Sequence, residues 1–154
     1  MLVALVATLG LSGVAMAKPI SQRAGSPGFV PIPTNCTIDD SLPGSSSGST
    51  NISGYMPSAD FTSDNLVYSS YFDSYLNQSA QIQQCREQCY GYGQCKSALL
   101  AYQVPTPAGY YGTAGGVLES ACLLYDAYLD ENAFVAAPAG QYINETAGNI
   151  YCPP

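Results

Sequence analysis

The clearest periodic signal in the chain is a polar-rich stretch followed by an alternating one. Ser79-Ala-Gln-Ile-Gln-Gln-Cys-Arg-Glu-Gln-Cys89 contains good helix formers and no Gly or Pro, with Ser79 as a candidate N-cap. This predicts a helix over about 79–91, ended by Gly91 and Gly93. Lys96 to Val104 then alternates, placing Ala98, Leu100, Tyr102 and Val104 on one face, as expected of a half-buried strand closed by Pro105 and Pro107. Upstream, Asp60 to Tyr75 carries Phe61, Leu66, Val67, Tyr68, Tyr71, Phe72 and Tyr75, which predicts one or two aromatic strands or turns. Downstream, Val117 to Leu129 turns apolar again with Cys122-Leu-Leu-Tyr125 as a strand, and a last strand approaches Ile150-Tyr151-Cys152. No internal repeat interrupts this order. The compact part is thus expected to start near Tyr55 and to be α+β.

Two stretches fall outside the pattern. Residues 1–17 form an apolar run ending in Ala15-Met16-Ala17, the small-x-small pattern of a signal peptide cleaved before Lys18. The run lacks a preceding basic residue, and it is short of the roughly 20 apolar residues that span a bilayer. Residues 18–54 are rich in Pro, Gly and Ser, peaking in Leu42-Pro-Gly-Ser-Ser-Ser-Gly-Ser-Thr50, and read as a flexible lead-in. Cys36 within it implies that the lead-in is anchored to the domain.

Charge and cysteine content change the picture. With 4 basic and 11 acidic residues, the net charge of −7 argues against nucleic acid and anionic membrane surfaces as partners. Six cysteines (Cys36, Cys85, Cys89, Cys95, Cys122, Cys152) behind a signal peptide read as a disulfide framework. A metal reading is weak: the chain has no His, and Cys85-x3-Cys89-x5-Cys95 is not the paired spacing of zinc sites. On a helix, Cys85 and Cys89 lie side by side with Cβ atoms about 5–6 Å apart, whereas a bridge needs about 4 Å. Excluding that pair strikes 3 of the 15 pairings that six cysteines allow and leaves 12 open. Sequons at Asn35, Asn51, Asn77 and Asn144 add N-glycosylation to the extracellular reading. At Asn35, a disulfide at Cys36 competes with glycosylation.

The run Gln84-Cys85-Arg-Glu-Gln-Cys89-Tyr90, then Cys95-Lys-Ser-Ala98, Tyr102 and Cys122-Leu-Leu-Tyr125, resembles the PAN/apple domain family, in particular apple-like domains of fungal secreted proteins. The resemblance covers about residues 55–152. It implies one helix cradled by a curved antiparallel sheet, and nested bridges Cys36–Cys152, Cys85–Cys122 and Cys89–Cys95. The 48 residues between Cys36 and Cys85 exceed the family's usual spacing. The resemblance also implies a non-catalytic module that binds proteins or carbohydrates.

Catalytic chemistry finds little purchase in the sequence, and nothing in it calls for a cofactor. Absence of His removes Ser-His-Asp and Cys-His machinery, and Gly112-Thr-Ala-Gly115-Gly116 lacks the Lys of a phosphate loop. The remaining enzyme reading is a paired-carboxylate glycosidase drawing on Glu119, Asp126, Asp130 and Glu131; a solvated acidic face is the simpler account. For binding, the 13 tyrosines offer flat, rigid rings with a hydroxyl, and Tyr110 and Tyr111 in the Pro/Gly loop 105–116 are the candidate contacts. The expectation is a secreted, extracellular binding module for a carbohydrate or an extracellular protein. A cell-wall-associated structural or effector-like protein is the alternative.

Overall fold

The structure, a computed structural model, describes residues 25–39, 54–73 and 76–153. The expected signal peptide, Asn51 and the Ser-rich peak of the lead-in lie outside these residues. Among these residues, besides two 3-10 turns, two helices and seven strands follow in chain order: β1 (Thr37–Asp39), β2 (Tyr55–Pro57), α1 (Ala59–Asn65), β3 (Leu66–Phe72), α2 (Gln78–Tyr92), β4 (Ser97–Pro105), β5 (Leu118–Tyr125), β6 (Phe134–Ala136) and β7 (Ile143–Tyr151). One antiparallel sheet runs in the order β1-β7-β4-β5-β3, and β2 pairs with β6 in a separate ribbon. The domain is therefore α+β with two helices, antiparallel sheets and three disulfides.

The expected helix is α2, and its cap is Asn77 rather than Ser79. The Asn77 Oδ1 accepts from the Ala80 amide at 2.9 Å, satisfying a first-turn donor. Gly91 does not stop the helix. Gly93 does, because its φ of +76° is a left-handed position that a residue without Cβ enters at no steric cost. The second helix, α1, occupies part of the segment expected to be strand or turn. Ser58 starts it by accepting from the Phe61 amide at 3.2 Å, and Asp60 lies in its first turn. One aromatic strand, β3, remains from that segment.

Both faces of the sheet are covered. On one side α2 lays Ile82, Cys85 and Cys89 against Ala98, Leu100, Leu124 and Ile150. On the other, Leu99, Ala101, Leu123, Tyr125 and Ala147 pack with Leu129, Phe134, Phe61 and Tyr142. The half-buried strand expected at 96–104 is thus buried on both faces along Ser97–Ala101. Val104 does not join Ala98, Leu100 and Tyr102. A bulge at Gln103, with φ +56°, shifts the register between Ala101 and Val104 and turns Val104 to the Leu99 face.

Residues 25–39 run across the outside of α2 and enter the main sheet. The Val30 amide donates to the Glu87 carbonyl at 3.2 Å, and β1 pairs with β7 with Thr37 opposite Tyr151. A Cβ on Gly91 would stand 2.2 Å from the Gly28 carbonyl oxygen, so this crossing requires glycine. The bridges join Cys36 to Cys152, Cys85 to Cys122 and Cys89 to Cys95. They tie the arm to β7, α2 to β5, and the end of α2 to the entry of β4. Among the described residues no helix is long and apolar enough to cross a membrane.

Candidate functional site

Tyr110 and Tyr111 sit together on a 3-10 turn, Tyr110–Gly112, but in different surroundings. The Tyr110 hydroxyl donates to the Tyr71 carbonyl at 3.2 Å and accepts from the Tyr71 amide at 3.4 Å. The two rings meet edge to face at 4.8 Å. Burial raises the Tyr110 pKa above its ordinary value. Tyr110 is therefore a strap on edge strand β3, while Tyr111 is 89% exposed with its ring 4.6 Å from that of Tyr110.

The candidate carboxylates Glu119 and Asp126 stand at opposite ends of β5. Glu119 stands opposite Val104 near the start of β5, whereas Asp126 follows its end. Six residues lie between them, and the seven steps of extended chain set them about 23 Å apart, well beyond the roughly 5–10 Å of a glycosidase pair. Asp130 caps the 3-10 turn Glu131–Ala133, accepting from the Asn132 and Ala133 amides at 2.9 and 3.0 Å. Glu131 is exposed.

The carboxylate with the most unusual setting is Glu145, the middle residue of the Asn144 sequon. It is 5% exposed. Its Oε1 accepts from the Gly54 and Tyr55 amides, both at 2.7 Å, and its Oε2 is buried with no hydrogen-bond partner among the described residues. Burial raises its pKa, opposed by these amides. It fastens the entry of β2 to β7. Among the described residues no group of three His, Cys, Asp or Glu side chains could hold a metal ion.

Three sequons fall within the described residues, and all three asparagines are exposed. Asn35 lies in the turn before Cys36. Asn77 and Asn144 are brought side by side, because Gln78 donates to the Asn144 carbonyl at 3.0 Å and to Thr146 Oγ1 at 3.2 Å.

A groove of about 310 Å³ opens between α2, β3 and the arm. The Cys85–Cys122 bridge lies at its base, Phe29, Phe72 and Leu76 supply apolar surface, and glutamines of α2 line one side. Two of these amides are held. Gln81 accepts from the Tyr102 hydroxyl at 2.5 Å and donates to the Leu76 carbonyl at 2.8 Å. Gln88 donates to Ser26 Oγ at 3.0 Å. Gln84, between them on the same helix face, is exposed. This arrangement can hold a small group with one apolar side and several neutral hydrogen-bonding groups. Sequence reasoning missed the groove because one wall comes from residues read as flexible lead-in. The Gln81-x2-Gln84-x3-Gln88 spacing along one helix face was the available signal.

No protein-family model, curated protein or solved structure matches the chain.

Proposed function

We propose that the chain is a secreted, N-glycosylated, non-catalytic binding module with a PAN/apple-like fold, working outside the cell or in the cell wall. The groove between α2, β3 and the arm carries this reading, because it combines an apolar base, fixed amides and one exposed amide, Gln84. Its ligand is a neutral carbohydrate or an uncharged segment of an extracellular protein. Amide side chains both donate and accept, so they recognise hydroxyls and peptide groups equally. Three disulfides suit an oxidising compartment. The separation of Glu119 from Asp126 favours binding over glycoside hydrolysis.

The test is a binding screen of the secreted protein against glycans and extracellular proteins, run beside Gln84→Arg, whose longer charged side chain fills the groove from an exposed position. The reading expects a ligand that the variant loses. A ligand bound equally by both proteins, or sugar release from a polysaccharide, contradicts it.

A further inference from the structure

At the opposite end of α2, the segment 126–133 crosses the sheet and is fixed by two buried polar side chains. Ser97 Oγ donates to the Ala127 carbonyl at 2.7 Å. Asn149 accepts from the Leu129 amide and donates to the Leu129 carbonyl, both at 2.8 Å, as a neighbouring strand would. Tyr128 lies between these two anchored residues. Its backbone is therefore held in place while its ring points out, 44% exposed. That ring stacks on Tyr151, itself 39% exposed, with centroids 4.5 Å apart and planes 25° from parallel. Fixed backbone beneath exposed aromatic rings means little ordering entropy is lost when a ligand settles on them.

Lys96 completes the cluster. Its Nζ stands 5.6 Å from the centre of the Tyr128 ring, and no carboxylate partners it among the described residues. An ammonium with no carboxylate partner among the described residues is notable in a chain of net charge −7, where acidic residues outnumber basic ones. Of these three side chains, Tyr128 also lines a hollow of about 520 Å³, which it shares with Tyr90 and which is bordered by Gly91 and Gly93.

We propose that Lys96, Tyr128 and Tyr151 form a binding platform for an acidic sugar residue, a pyranose bearing one carboxylate. The C–H face of the pyranose packs on a tyrosine ring, and Lys96 takes the carboxylate. The long lysine stem swings off the ring to do so. A single cation matches a single carboxylate, and the net negative charge of the protein repels polyanions. This site is separate from the groove and takes a different ligand class, so either proposal can fail alone.

The experiment titrates the full secreted protein with methyl β-glucuronoside and methyl β-glucoside, following tyrosine ring signals by NMR. The glucuronoside is expected to shift the Tyr128 and Tyr151 signals. At low salt it should bind about fivefold more tightly than the glucoside, as an exposed ion pair allows. Lys96→Gln, on an exposed side chain, should erase that preference while the glucoside affinity stays the same. Tyr128→Leu should weaken both sugars, and Gln84→Arg should change neither. Absence of ring shifts, equal binding of the two sugars, or a preference that survives Lys96→Gln overturns the proposal.

Discussion

The Tyr110 hydroxyl bonds both backbone groups of Tyr71, donating to its carbonyl and accepting from its amide. β3 is an edge strand, and an edge presents unpaired backbone groups to solvent and to other chains. One side-chain hydroxyl thus takes the place of a neighbouring strand at Tyr71. Tyr110→Phe keeps the ring contact and removes this clasp. The expected loss is about 1 kcal/mol of stability, read by chemical denaturation, with faster amide exchange at Tyr71. Tyr111→Ala, on the exposed neighbour, should change stability by less than about 0.5 kcal/mol. Equal losses for the two variants would contradict the distinction drawn between them.

Gly91 offers a test of the arm. In an ordinary exposed helix, Gly→Ala stabilises by up to about 1 kcal/mol. Here the added methyl would meet the Gly28 carbonyl at 2.2 Å, a backbone atom that moves only with the arm. Gly91→Ala should therefore destabilise by roughly 1–3 kcal/mol and make the segment around Gly28 more susceptible to proteolysis. A more stable variant would show that the arm does not cross α2 at this point.

The three bridges should not contribute equally. Cys36–Cys152 spans 116 positions and Cys89–Cys95 spans 6. Loop-closure entropy then assigns about 5 kcal/mol to the long loop and about 2 kcal/mol to the short one. Replacing Cys36 and Cys152 together by Ser should lower the melting temperature more than replacing Cys89 and Cys95. The reverse order would mean that the arm contributes little to the fold.

Glu145 predicts a pH dependence with a definite sign. Burial holds its carboxyl above the usual carboxylate range, so the folded chain binds this proton more tightly than the unfolded chain does. Its contribution is complete below the ordinary Glu pKa and is lost as pH rises through the folded value. Glu145→Gln keeps an acceptor for the Gly54 and Tyr55 amides and removes the titration. Melting curves from about pH 4 to 7 should show the wild type losing stability relative to the variant as pH rises. Parallel curves would contradict the buried setting of Glu145.

Particular residues show why some of this was legible in the sequence and some was not. The Ser79–Cys89 stretch announced α2 through composition alone, and the apolar runs at 96–104 and 122–125 announced β4 and β5, because local preference and burial agree there. The short helix α1 is hidden because Asp60, Ser63, Asp64 and Asn65 favour turns and caps over helix interior, while the Ser58 cap and the packing of Phe61 on the core decide otherwise. The face that Val104 takes is not legible from the alternation, because the bulge at Gln103 leaves no composition signal. The arm was hidden for a related reason: its order comes from contacts with α2 and β7 rather than from its own residues. Of the candidate contacts, Tyr110 and Tyr111 stand together on the loop, but the role of Tyr110 as a strap is not legible, because its partner Tyr71 is 39 positions away in sequence. The Tyr128 platform depends on Asn149 and Ser97, two buried polar side chains that no periodicity marks.

The central claim is that this chain works outside the cell as a disulfide-stapled module. Non-reducing peptide mapping by mass spectrometry, on protein secreted from a eukaryotic host, tests it most directly. The account predicts a mature N-terminus at Lys18, glycans on Asn77 and Asn144, and the bridges Cys36–Cys152, Cys85–Cys122 and Cys89–Cys95. Retention in the cell, free thiols, or a Cys85–Cys89 bridge would contradict it.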